Sequence, residues 1–137
     1  MESVQLNFKF QPKQFQLYDL VRYDEFDGRN RSKAKGKIIG YGGSNGGAKS
    51  YALRNILIAE LLEHGNQHAL LFRRLYDDIR KNHISKIFEE HPDLEPFWKK
   101  SEKTIYFPNG STLEFGYAEN PDDIFKFRGQ EYDLIGI

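Results

Sequence analysis

The 137-residue sequence contains no cysteine, which excludes disulfides and thiolate-held metals and fits a reducing compartment. No apolar run comes near the roughly 18 residues that a membrane-spanning helix needs. The opening Met1-Glu2-Ser3-Val4-Gln5 is polar and acidic and lacks the apolar stretch of a signal peptide. Net charge is missing as well: 20 basic residues balance 20 acidic ones. The chain as a whole has no field to gather polyanions, so any such contact has to come from a local patch. There is no internal repeat and no low-complexity tract. These absences predict a soluble cytosolic protein. A hydrophobic share of 39% with 15% aromatics is enough for one packed domain and too much for a disordered tail.

The patterning then sets out the elements. Val4, Leu6, Phe8 and Phe10 alternate along an extended opening. After Pro12, the spacing of Phe15, Leu17, Tyr18, Leu20 and Val21 predicts a short helix. A polar loop follows, ending in Arg29 to Lys37 with five basic residues and no acid. Lys37-Ile38-Ile39-Gly40-Tyr41 reads as a buried strand. From Ser50, the pattern Leu53, Ile56, Leu57, Glu60 and Leu61 predicts an amphipathic helix that stops at Gly65. His68 to Arg73 reads as a second buried strand, which completes a strand–helix–strand unit and implies a parallel sheet. Leu75 to about His91 is a second helical stretch, broken by Pro92 and Pro96. Lys103 to Tyr117 reads as a β-hairpin about Pro108-Asn109-Gly110, with Ile105 opposite Leu113 and Phe107 opposite Ser111. Tyr132 to Ile137 rises into another buried strand.

Between the first strand and its helix lies Gly43-Ser44-Asn45-Gly46-Gly47-Ala48-Lys49-Ser50. A glycine-rich loop can turn its backbone N–H groups onto phosphate oxygens, and the helix that follows adds its positive end. The lysine of such a loop reaches the β- and γ-phosphates, and the next hydroxyl holds Mg²⁺. Those roles fall to Lys49 and Ser50, with Gly43, Gly46 and Gly47 shaping the cradle. The usual pattern G-x-x-x-x-G-K-[S/T] is met at Gly43, Lys49 and Ser50 and broken at Ala48. The expected ligands are therefore ATP and Mg²⁺.

Four stretches together resemble the large terminase subunits of tailed phages, the motors that pump DNA into procapsids. Phe10-Gln11-Pro12-Lys13-Gln14 is similar to that family's adenine-recognising segment. Tyr41 to Tyr51 is similar to its phosphate loop, where alanine before the lysine is a familiar variant. Leu70-Leu71-Phe72-Arg73-Arg74 resembles a strand ending in paired arginines. Phe107 to Gly116, followed by Phe127-Arg128-Gly129-Gln130-Glu131 and the strand Tyr132 to Ile137, resembles the hairpin and Arg-Gly segment that lead to the Walker B strand.

The resemblance implies an α/β fold: a RecA-like P-loop NTPase domain with a central, mainly parallel sheet and an inserted β-hairpin. It implies that residues 1–137 are the N-terminal part of that domain, with 1–36 an adenine-side segment and loop and 37–137 the βαβ core. The acidic Walker B pair is then expected directly after Ile137, and a nuclease domain beyond it. Residues 1–137 alone are accordingly expected to bind ATP weakly and hydrolyse it very slowly. The implied activity is ATP hydrolysis coupled to DNA translocation in the host cytoplasm. The implied partners are double-stranded DNA, the portal protein and the small terminase subunit, with a homo-oligomeric ring on the portal and no membrane. Gln14 would hydrogen-bond the adenine edge. Arg128 stands where some members carry an arginine finger, which stabilises charge on the transferring phosphoryl group; a salt bridge to Asp122, Asp123 or Glu131 is the alternative. Many members have arginine where Asn45 stands here, so the charge-sensing duty passes to Arg128 or to Arg73 and Arg74.

Other features read as structural. His64 and His68 are four apart, but Gly65 between them ends the helix and argues against a shared metal. The basic run 29–37 is offset by Asp24, Glu25 and Asp27, which leaves both DNA contact and a solvated loop open. The spacing of Phe97, Trp98, Tyr106, Phe107, Phe115, Tyr117, Phe125 and Phe127 favours core packing over base stacking. Asp133 opens its strand, whereas the Mg²⁺ carboxylate belongs at a strand's far end. Two other functions suit the loop: a two-domain RecA-type helicase or translocase, and a non-hydrolysing nucleotide-binding assembly module.

Overall fold

The computed structural model describes residue 6 and residues 8–22, 47–120 and 131–137, and every statement below concerns those residues. The predicted strand 37–41, the loop Gly43 to Gly46, the basic run 29–37 and Arg128 lie outside them. The chain divides into two compact units, one of residues 7–52 and one of residues 53–137 with residues 1–6.

In the first unit, helix α1 (Pro12–Arg22) begins where the sequence predicts, with Pro12 at its first position, where a missing N–H costs nothing. Gln14 is buried, and its Oε1 accepts the Gln11 N–H at 2.8 Å. That is the reach-back half of a capping box. Helix α2 (Gly47–Glu63) starts in this unit and continues into the other.

The second unit is built on a five-stranded mixed sheet in the order β2-β3-β4-β1-β5. Its strands are β1 (His68–Arg73), β2 (Trp98–Lys99), β3 (Thr104–Tyr106), β4 (Thr112–Tyr117) and β5 (Leu134–Gly136). Both neighbours of β1, namely β4 and β5, run parallel to it. The hairpin β3–β4 and the pair β2–β3 are antiparallel. The fold is therefore α/β, with a parallel centre and an antiparallel edge. The hairpin is part of the main sheet, because β4 is its second strand and also the partner of β1. Ala69, Leu70 and Leu71 are all buried, as the continuous apolar run of a strand covered on both faces requires. Asp133, just ahead of β5, joins the strand starts: its Oδ2 accepts the His68 N–H at 2.8 Å and its own N–H donates to the His68 carbonyl at 2.7 Å.

Between β1 and β2 lie α3 (Tyr76–Ile79), a π-helical turn (Arg80–Ile84), α4 (Ser85–Glu90) and a 3₁₀ segment (Pro92–Phe97). The sequence predicts one helix here, and the π turn interrupts it. Trp98 packs edge-on against Phe88 and Phe115 at 5.4 and 5.7 Å, so these aromatics build core. Helix α2 departs from the expected amphipathic pattern. Every residue from Arg54 to Leu61 is buried, including Arg54, Asn55 and Glu60.

The hairpin turn is also the cap of α2. Asn109 Nδ2 donates to the Leu61 carbonyl at 2.8 Å, and Ser111 Oγ donates to the His64 carbonyl at 2.8 Å. These are carbonyls that a helix end leaves without an internal donor. Ile105 pairs with Leu113, and the Phe107 N–H donates to the Ser111 carbonyl, in the predicted register. Helix α2 ends at Glu63, just ahead of the expected stop at Gly65. The left-handed residue is Asn66, at φ 59°, a conformation asparagine tolerates. Gly65 is needed for space, since a Cβ there would lie 3.1 Å from the Asn109 carbonyl oxygen.

Gly110 has φ +86°, and a Cβ would fall 2.2 Å from Asn66 Oδ1. Gly110→Ala is therefore expected to destabilise the protein by about 2 kcal/mol or more, from backbone strain and displacement of Asn66. Urea unfolding measures this; a change below about 0.5 kcal/mol, the level of an ordinary surface substitution, would mean that the turn is dispensable.

Candidate functional site

Helix α2 opens at Gly47, inside the glycine-rich motif, and carries Lys49 and Ser50 in its first turn with no acidic residue beside them. Lys49 and Ser50 are half-buried. The first-turn N–H groups have no intrahelical acceptor, and the helix dipole makes this end positive. Within the same unit, the segment Phe8 to Gln14 packs on that turn through Tyr51. The Lys9 N–H donates to the Tyr51 hydroxyl at 3.1 Å. The Phe10 ring lies 6.3 Å from Tyr51, 5.6 Å from Tyr18 and 5.8 Å from Phe8. Two stretches that are far apart in sequence, the one ending in Gln14 and the one holding Lys49 and Ser50, thus meet at one helix start. Gln14 does not face solvent there; its amide oxygen is committed to the α1 cap.

The first turn of α2 thus holds one ammonium and one hydroxyl, with no carboxylate in the turn.

The second unit presents a different cluster at the carboxyl end of β1, the side on which open α/β sheets place their ligands. Arg74 is exposed there. Arg73 is half-buried, and its Nε donates to His83 Nε2 at 3.3 Å. The π turn brings His83 into this position; such turns recur at functional sites. Accepting at Nε2 leaves the proton of the neutral ring on Nδ1, which makes no hydrogen bond among the described residues. Burial, then the charges of Arg73 and Arg54, pull the His83 pKa from 6.5 down to about 4, against the opposing pull of Asp78 and Glu90. Close by, the Tyr76 and Tyr117 rings meet at 5.1 Å, with Lys103 Nζ 5.5 and 6.0 Å from their centroids.

Beneath this edge a polar network ties α2 to α4. Arg54 Nε donates to Glu90 Oε1 at 2.7 Å, Nη2 donates to Glu90 Oε2, and Nη1 donates to the Asn82 carbonyl at 3.0 Å. Asn55 Nδ2 donates to Glu90 Oε1 at 3.1 Å. The Asn55 Oδ1 therefore faces His91 Nε2, which must carry the proton. Burial alone would raise the Glu90 carboxyl, but hydrogen bonds from Arg54 and Asn55 outweigh it and hold it low. Burial likewise lowers His91. No sequence signal marked Arg54, Asn55, His83 or Glu90, whose partners lie far away along the chain.

The sign of the His83 effect is clear. A histidine whose folded pKa lies below its unfolded value binds protons more readily when unfolded, so its neutral form stabilises the fold above pH 6.5. That stability is lost as pH falls from 6.5 towards about 4. The full shift corresponds to about 3 kcal/mol. His83→Gln, which keeps an acceptor and cannot titrate, is expected to flatten the fall. Urea unfolding at pH 7, 5.5 and 4.5 checks it, and an unchanged slope in His83→Gln would assign the loss to other groups.

No protein-family model, curated protein or solved structure matches the chain.

Proposed function

We propose that this protein is the ATP-binding part of a phage DNA-packaging motor, a terminase large subunit of RecA-like P-loop fold. The observation that carries the reading is the start of α2 at Gly47, with Lys49 and Ser50 in a first turn free of acids. The packing of the Phe10–Gln14 segment on that same turn through Tyr51 supports it, because it sets the expected adenine side beside the expected phosphate side. In this reading, the backbone of Gly43, Ser44, Asn45, Gly46, Gly47 and Ala48 wraps the phosphates. Lys49 neutralises the β- and γ-oxygens, and Ser50 ligates Mg²⁺, which supplies charge neutralisation when bound. Gln14, in the segment packed on that turn, is the proposed adenine contact. Arg128 is the proposed arginine that stabilises the transferring phosphoryl group, with Arg73 and Arg74 at the end of β1 as the alternatives. Double-stranded DNA, the portal and the small subunit are the proposed partners of a ring of such chains.

The direct test is equilibrium binding of a fluorescent ATP analogue in Mg²⁺, with competition by ATP, ADP and inorganic phosphate. Saturable binding displaced by ATP and ADP is expected. Absence of binding at millimolar nucleotide, with the chain shown to be folded, would overturn the reading.

A further inference from the structure

The last turn of α2 carries three side chains that nucleotide binding does not use. Glu60, Glu63 and His64 stand at i, i+3 and i+4, and one donor atom of each lies within 4.8 Å of the others. They grade from inside to outside: Glu60 is fully shielded from water, His64 is partly shielded and Glu63 is exposed. An ion can therefore enter from the Glu63 side and rest against a carboxylate held out of solvent.

Three further observations point the same way. His64 Nε2 is shielded from water and makes no hydrogen bond among the described residues. It sits 3.8 Å from Glu60 Oε2, too far for a hydrogen bond and near the separation of about 3.4 Å that two ligands have on one tetrahedral ion with bonds near 2.1 Å. The His64 backbone is fixed at both ends, its N–H donating to the Glu60 carbonyl at 3.0 Å and its carbonyl accepting from Ser111 Oγ at 2.8 Å. The donor set is therefore pre-arranged by the helix and the hairpin turn.

We infer that Glu60, Glu63 and His64 form a binding site for a divalent transition-metal ion of the Zn²⁺ type, completed by water. One imidazole with two carboxylates is a donor set for zinc, whereas Mg²⁺ and Ca²⁺ take oxygen ligands alone. The site is structural: it clamps the end of α2 to the turn that caps it. It is independent of the nucleotide reading.

The test is calorimetric titration of Zn²⁺ into the chelator-treated full chain at pH 7.5, with parallel titrations of Mg²⁺ and thermal unfolding with and without Zn²⁺. One site per chain is expected, with micromolar or tighter affinity, a raised unfolding midpoint and no comparable response to Mg²⁺. Glu63 is exposed and His64 lies at the rim of the site, so Glu63→Gln and His64→Gln each remove one ligand atom there, and the Ser111 bond goes to the backbone. Each is expected to weaken Zn²⁺ by at least tenfold, since even the loss of an outer-shell partner costs about 10–100-fold. His68→Gln, which alters an imidazole bonded to Thr112, is expected to leave affinity unchanged. Undiminished binding in both Glu63→Gln and His64→Gln, millimolar affinity in the parent chain, or equal binding of Mg²⁺ would each overturn the site.

Discussion

Lys49→Ala is expected to weaken ATP binding by about 10- to 100-fold while moving the unfolding midpoint little. The first half follows from charge. A lysine in the opening turn of α2 supplies a charge-assisted hydrogen bond to phosphate, worth about 1.5–3 kcal/mol, in a place where the helix dipole already favours the anion. Its loss leaves the backbone N–H groups as the only donors. The second half follows from position: Lys49 is half-buried at a helix start, and alanine is the strongest helix former. Titration of the fluorescent analogue, with far-ultraviolet circular dichroism as the folding control, separates the two. Equal affinity in Lys49→Ala would remove the phosphate-loop reading, whereas loss of helix signal would show that Lys49 serves the fold instead. Lys49→Arg, which keeps the charge and loses the compact ammonium, is expected to fall between.

The sequence was most readable where structure is set locally. Asn109-Gly110 fixes the hairpin because the turn needs a residue at positive φ, and Ile105 then has to face Leu113. The apolar run Ala69-Leu70-Leu71 marks a strand covered on both sides. The start of α2 at the glycine motif followed from the same kind of reasoning. Legibility fell wherever partners are remote. Gly65 marked the end of α2, which stops at Glu63, but the left-handed conformation falls on Asn66 and Gly65 makes room for Asn109. Arg54 and Asn55 lie outside the apolar positions that marked α2, and both are buried. Their partners Glu90 and His91 come 35 and 36 residues later, a distance that periodicity cannot bridge. The π turn left no mark on the sequence either, so His83 gave no hint that it would hold Arg73. At the candidate site, the pattern pointed to Lys49 and Ser50, which lie in the first turn of α2, whereas the buried cap role of Gln14 left no mark on it.

Arg54→Ala is expected to cost about 3 kcal/mol of stability, the lower end of the range for breaking a buried ion pair. The lower end applies because the Glu90 side chain keeps 20% of its surface while that of Arg54 keeps 5%. Removing the guanidinium deprives Glu90 of a bidentate partner and the Asn82 carbonyl of a donor. Asn55 then remains to hold a carboxylate largely cut off from water, and the penalty is that of an uncompensated charge. Against a typical stability of about 5–15 kcal/mol, such a loss is a large share of the whole. Glu90→Gln should cost less, because it keeps the shape and an acceptor for Arg54 while removing the charge. A double-mutant cycle over Arg54→Ala and Glu90→Gln is expected to show coupling of about 1–3 kcal/mol. Replacing both by methionine should recover most of the stability, as buried pairs exchanged for apolar groups of similar volume often do. If Arg54→Ala costs less than about 1 kcal/mol, the pair behaves as a surface salt bridge and the network does not clamp α2. A full loss in Arg54→Ala with recovery in the double methionine variant would show instead that α2 needs a filled, neutral contact with α4 more than it needs the charges. Arg54 lies four residues beyond Ser50 on α2. The methionine pair can then be tested for ATP affinity, which distinguishes a network that only supports the helix from one that also tunes its first turn.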